Sequence, residues 1–133
     1  MTKKVLILSA SPRRNGNSDL LCNQFMLGAQ EAGHDVEKVF LRDKNIKYCT
    51  GCYVCEKTQG VCAYKDDMPE LLQKIIDADV LVLSTPVYFY CMNAQLKTVI
   101  DRTVARYTEI KDKDVYLIAT AGEPEMKAME GTI

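Results

Sequence analysis

Val5-Leu6-Ile7-Leu8-Ser9-Ala10-Ser11-Pro12-Arg13-Arg14-Asn15-Gly16-Asn17-Ser18 is the stretch that decides how this chain folds. A short unbroken apolar run, Val5-Leu6-Ile7-Leu8, reads as a strand buried on both faces of a parallel sheet. The chain then leaves the sheet through a loop rich in hydroxyls, amides and guanidinium groups. A helical pattern follows, with Leu20, Leu21, Phe25 and Ala29 expected on the inner face, Asn17 or Ser18 as N-cap, and Gly33 closing the helix. Strand, polar loop and helix are the opening unit of an alternating α/β domain.

The alternation continues along the chain. Val36, Val39 and Phe40 mark a weaker second strand, expected at an edge. Asp67 opens the next helix, with Glu70 at capping-box spacing and Pro69 in the first turn. Its apolar face is Met68, Leu71, Leu72, Ile75 and Ile76. Val80-Leu81-Val82-Leu83 is a third buried strand. Leu96, Val99, Ile100 and Val104 draw a helix over about residues 93–106, and Val115-Tyr116-Leu117-Ile118-Ala119 is a fourth strand. Such alternation implies a parallel sheet with right-handed crossovers. We expect residues 1–133 to form one domain, short at its C-terminus, because the chain stops at Glu130-Gly131-Thr132-Ile133 where a fourth helix would begin.

Composition narrows the function classes. The chain has 133 residues, 47% hydrophobic and 26% charged, ordinary values for a globular domain. A net charge of −1 without a basic stripe speaks against a nucleic-acid partner. The apolar start at Val5 is too short for a signal-peptide core or a membrane span, so a membrane partner is not expected. Six cysteines without an export signal point to the reducing cytoplasm, where clustered thiols bind metals or do redox work. His34 is the only histidine and falls in a helix-to-strand turn. No Ser-His-Asp or Cys-His arrangement can therefore be assembled.

Four cysteines are concentrated in Cys49-Thr50-Gly51-Cys52-Tyr53-Val54-Cys55 and Cys62. Two CxxC steps share Cys52, and Gln59-Gly60 can supply the turn that brings Cys62 back. Four thiolates suit a [4Fe–4S] cluster or a zinc ion, and spacing alone does not say which. The alternatives are redox disulfide chemistry, or a loop of reduced thiols held by Tyr48, Tyr53 and Val54. Cys22 and Cys91 read as isolated, and Asp101 and Arg102 as a structural polar contact near a helix end.

In open parallel sheets ligands lie beyond the carboxyl ends of the strands. Three loops fall there. The first offers Ser9, Ser11, Arg13, Asn15, Asn17 and Ser18 at a helix N-terminus, groups suited to a phosphate dianion. It is neither a Walker loop nor GxGxxG. The second, Pro86, Val87, Tyr88 and Phe89 with Tyr90, offers a rigid turn and aromatic surface for a flat ring. The third, Thr120, Ala121 and Gly122, lets a ligand approach the backbone closely. Together they describe a flavin mononucleotide (FMN) site.

The combination of Ser-Pro-Arg-x-x-x-Asn-Ser, Cys-x-Gly-Cys-x-x-Cys with Asp66-Asp67-Met68, Pro-Val-Tyr with Gln95-Leu96-Lys97, and Asp101-Arg102 resembles the flavodoxin-like NAD(P)H-dependent FMN reductases, most of all the iron–sulfur flavoproteins. The resemblance covers nearly the whole chain. It implies a doubly wound, three-layer αβα domain with strand order 2-1-3-4, the family's last helix and fifth strand missing from this chain. It implies that Ser11, Arg13, Asn17 and Ser18 hold the FMN phosphate, that residues 86–89 line the isoalloxazine, and that residues 120–122 close over it. Cys49, Cys52, Cys55 and Cys62 would match the compact cluster motif of a [4Fe–4S] centre. The expected activity is FMN-dependent oxidoreduction, with NAD(P)H as electron donor or a redox protein as partner, in a homodimer or higher homo-oligomer. A flavodoxin-like electron carrier and a zinc-stapled binding domain without flavin are the alternatives.

Overall fold

The computed structural model describes residues 1–133. Its elements run in the order β1 (Lys4–Ser9), α1 (Asn17–Glu31), β2 (Asp35–Phe40), α2 (Val54–Lys57), α3 (Met68–Asp77), β3 (Val80–Tyr88), β4 (Cys91–Met92), α4 (Ala94–Arg102) and β5 (Asp114–Thr120). The four long strands form a parallel sheet in the order β2-β1-β3-β5, the expected 2-1-3-4 order of the long strands. The two-residue β4 adds an antiparallel pairing to the end of β3. This is the flavodoxin-like doubly wound architecture, and no further strand follows β5 within residues 1–133.

Alternate residues of each strand feed opposite faces, which divides the interior in two. Leu6, Leu8 and Leu81 join Leu71, Leu72 and Ile75 of α3 and Leu96 and Val99 of α4 in a cluster of 13 buried residues. Val5, Ile7, Val80 and Val82 meet Cys22 of α1 in a cluster of only 5. The second face is thin because α1 alone covers it. Tyr116 of β5 lies on this face and stays exposed beside Phe25, whose ring centroid lies 5.4 Å away, while Val115 and Leu117 are exposed on the opposite face.

Several local expectations need correction. Leu20 and Leu21 are exposed, and the inner ridge of α1 is Ser18, Asp19 and Cys22, followed by the half-buried Phe25, Met26 and Ala29. That ridge follows helical spacing from Ser18, but its first turn is polar, which hid it from a search for apolar residues. Gly16, not Asn17 or Ser18, stands at the N-cap, and no side chain caps the helix. Asp67 precedes α3 as expected but makes no side-chain cap; Asp66 accepts the Met68 N–H at 3.0 Å instead. The last helix stops at Arg102 and tightens into a 3₁₀ segment, Thr103–Glu109, where Arg106 departs from helical geometry. The aromatic loop is a hairpin: β3 runs on to Tyr88, and Phe89 (φ 46°) and Tyr90 (φ 66°) form its two-residue turn into β4.

Candidate functional site

At the carboxyl end of the sheet, the loops after β1, β3 and β5 enclose a cleft of about 200 Å³. It is lined by Ser11, Arg13, Gly16, Asn17, Ser18, Pro86, Val87, Tyr88, Thr120, Ala121 and Gly122. All but Gly16 are among the residues expected to contact a flavin. The loop after β1 is built to present donors. The Ser11 hydroxyl accepts the Arg13 N–H at 3.1 Å, folding the chain back toward the helix. Because nothing caps α1, its first-turn N–H groups stay free at the cleft. Arg14 and Arg42 are committed elsewhere: Arg14 pairs with Asp43 at 2.5 Å and lies over the Phe40 ring, while Arg42 donates to the Pro12 carbonyl. Arg13 is exposed and enters none of the chain's ion pairs.

Other residues expected at the site lie around the cleft rather than in its lining. Ser9 is fully buried behind it and donates to Asp19 Oδ1 at 3.1 Å. Asn15 is exposed with a left-handed backbone (φ 57°), and its N–H is taken by Asp19 Oδ2 at 2.9 Å. Phe89 is 95% exposed at the hairpin tip. Asp19 is the centre that sequence reading missed, since a carboxylate beside a phosphate loop looks misplaced. Burial works against its charge, but the Lys38 ammonium, the Asn15 N–H and the Ser9 hydroxyl outweigh it and hold the carboxyl below its ordinary range. Lys38 also donates to Asn23 Oδ1 at 2.7 Å, so the pair locks α1 to β2 beneath the cleft.

The cysteine stretch forms a separate excursion. Cys49, Cys52, Cys55 and Cys62 are all free and line one cavity of about 500 Å³ with Tyr53, Tyr64 and Arg102. They share this space, yet no group of three sits close enough together to hold a metal ion. Tyr53 has a left-handed backbone (φ 58°) and stands as the N-cap of α2 inside the motif. Gln59 and Gly60 both have positive φ and make the expected turn back to Cys62. The donor set suits a four-thiolate centre in kind: four sulfurs, a cation in the same wall, and the Gly51 N–H donating to Cys49 Sγ at 3.4 Å.

Tyr48 and Tyr53 do not hold this excursion by packing, for both are exposed. Its neck is tied by a buried ion pair. Arg102 donates to Asp66 Oδ2 at 2.7 Å, to Asp66 Oδ1 at 3.0 Å and to the Lys47 carbonyl at 2.6 Å, while Asp66 accepts the Lys47 N–H at 2.9 Å. One residue further out, Asp67 accepts the Asn45 N–H at 2.6 Å and returns its own N–H to the Asn45 carbonyl. Asp101 does not join Arg102; it pairs with Lys97 on the exposed side of α4.

The profile of the NADPH-dependent FMN reductase family matches residues 3–129. The chain belongs to that family. Among its relatives, an iron–sulfur flavoprotein of Archaeoglobus fulgidus is 35% identical over 127 residues, covering 92% of this chain and 57% of the relative. An iron–sulfur flavoprotein of Methanocaldococcus jannaschii is 41% identical over 100 residues, covering 75% of this chain and 51% of the relative. This member of the family thus spans between half and three-fifths of the length of those relatives. Of solved structures, the NAD(P)H:quinone oxidoreductase from Methanothermobacter marburgensis superposes with a TM-score of 0.77 at 26% identity, covering 92% of this chain and 66% of the other. An FMN-dependent NADH-azoreductase from Bacillus anthracis, in complex with FMN, shares the fold at a TM-score of 0.70 and 18% identity, over 95% of this chain and 75% of the other. No helix of the family member is long and apolar enough to cross a membrane.

Proposed function

We propose that this chain binds FMN in the cleft between the loops after β1, β3 and β5, and that it is the flavin-binding part of an NAD(P)H-dependent oxidoreductase. The observation that carries the reading is the convergence of an uncommitted Arg13, the uncapped N-terminus of α1, the Pro86-Val87-Tyr88 wall and the small Thr120-Ala121-Gly122 loop on one cleft. In that arrangement Ser11, Arg13, Asn17, Ser18 and the first-turn N–H groups meet the phosphate dianion. Pro86, Val87 and Tyr88 face the ring, and residues 120–122 allow it close to the backbone. FMN supplies hydride and one-electron chemistry when bound, so no acid–base pair is required of the protein. Cys49, Cys52, Cys55 and Cys62 are the proposed ligands of a [4Fe–4S] cluster, which would add a one-electron centre. A nicotinamide nucleotide, or a redox protein, is the proposed electron donor.

The test is protein purified without oxygen, with flavin, iron and zinc measured per chain and NAD(P)H oxidation followed spectrophotometrically. Roughly one FMN per chain with iron and a broad visible shoulder is the expected result. Flavin without iron removes the cluster and leaves a simple flavin reductase. Flavin without NAD(P)H oxidation identifies an electron carrier instead. Zinc with no flavin refutes the proposal.

A further inference from the structure

We propose that Asn93 is the positioning residue that sets the separation of the two walls of the cleft; the inference rests on reading that cleft as the FMN site. Pairing of β1 with β3 ends at Ser9 opposite Ser84, whereas β3 stays paired with β5 to Pro86 opposite Thr120. Beyond Ser9 the chain that becomes the phosphate loop therefore parts from the chain that becomes the ring wall. One backbone hydrogen bond, Ala10 N–H to the Ser84 carbonyl at 2.9 Å, reaches past the end of that pairing.

Asn93 sits where the two chains part, with 1% of its surface exposed. Its Nδ2 donates to the Ala10 carbonyl at 2.6 Å, its backbone N–H donates to Thr85 Oγ1 at 3.0 Å, and its Oδ1 accepts the Leu96 N–H at 3.2 Å. Thr85 passes the connection on by donating to the Pro86 carbonyl at 2.7 Å. Ala10 immediately precedes Ser11, and Thr85 immediately precedes Pro86. A single buried residue thus spans the root of the phosphate wall and the root of the ring wall while capping α4. Capping alone needs only an acceptor, which serine or aspartate supplies as well. The amide NH₂ is the extra part, and it is used on the Ala10 carbonyl.

The experiment compares Asn93→Ser with wild type. Serine keeps the cap but cannot donate across to Ala10. FMN affinity is measured by fluorescence titration well below the melting temperature, and thermal melting is measured on flavin-free protein. Ile75→Val, a core change in α3 remote from the cleft, serves as a control for destabilisation alone. Asn93→Ser should raise the FMN dissociation constant about tenfold, while Ile75→Val lowers the melting temperature and leaves the constant within about twofold. A dissociation constant for Asn93→Ser within about twofold of wild type overturns the positioning role and spares the cleft assignment. Absence of FMN binding by the wild-type protein overturns the cleft assignment and this inference with it. Should Asn93→Ser not fold, the isosteric Asn93→Asp, which also caps without that donor, is judged by the same criterion.

Discussion

Arg102→Ala is expected to destabilise the fold by about 3–5 kcal/mol, the cost of stranding one partner of a buried ion pair. The structure allows the figure to be built from its parts. The Arg102 and Asp66 side chains are 2% and 0% exposed, so neither can exchange its partner for water. Burial alone would push the Asp66 carboxyl up, but Arg102 and the Lys47 and Met68 N–H groups bring it down from 3.8 to about 2. Returning it to its ordinary value is worth about 2–3 kcal/mol at 1.4 kcal/mol per unit. The Lys47 carbonyl loses a charge-assisted bond as well, adding about 1–2 kcal/mol. Urea unfolding followed by circular dichroism at neutral pH measures the sum. The paired change Arg102→Met with Asp66→Asn should recover more than half of the loss, because no lone charge is left buried. Lys97→Ala, which breaks only the exposed Lys97–Asp101 pair, should cost under about 0.5 kcal/mol. Limited proteolysis of Arg102→Ala should cut first between residues 47 and 66. A loss below about 1 kcal/mol for Arg102→Ala would refute the view that this pair closes the neck of the cysteine excursion.

The same pair fixes the sign of the acid response. Its contribution is complete above the unfolded value of 3.8 and is lost as pH falls through about 2, so acid unfolding should be shallower in Asp66→Asn, as seen by pH-jump circular dichroism. Asp19, also held below its ordinary range, acts in the same direction. Arg13→Ala should weaken FMN binding by about 1.5–3 kcal/mol in a fluorescence titration, whereas Arg14→Ala, already tied to Asp43, should change it by less than about 0.5 kcal/mol. Equal effects of the two would sink the phosphate assignment. Cys52→Ser should abolish iron binding by anaerobic protein and leave FMN bound, because the cleft and the cysteine cavity share no residue; loss of both would show that the sites are not separable.

The sheet was legible because its strands are continuous apolar runs, and period and run length are what a sequence displays most directly. Val5 to Leu8 and Val80 to Leu83 could hardly lie anywhere but in the centre of a parallel sheet, and they do. The inner face of α1 was not legible for the same reason. Its first turn holds Ser18 and Asp19, and Asp19 is made burial-compatible by Ser9 and by Lys38, which arrives from the next strand. Long-range compensation of this kind leaves no periodic trace. The hairpin at Phe89 and Tyr90 was missed because two aromatics in left-handed conformations violate ordinary turn preferences.

The residues lining the cleft come from the loops that composition singles out, since loops after parallel strands must meet at one sheet edge. What composition could not reveal is how the loops are held. In sequence Asn93 reads only as a helix-start amide, and Arg102 as half of a polar contact with Asp101 near a helix end. Yet they bound the same nine-residue helix, α4: Asn93 is its N-cap and Arg102 its last residue. At a rise of 1.5 Å per residue the helix separates them by about 14 Å. One end fastens the walls of the cleft, and the other fastens the neck of the cysteine excursion. Leu96 and Val99 press the helix onto the main core, so neither end can shift alone without breaking a buried polar contact. The relative placement of the two candidate redox sites thus rests on one short helix rather than on the loops that line them.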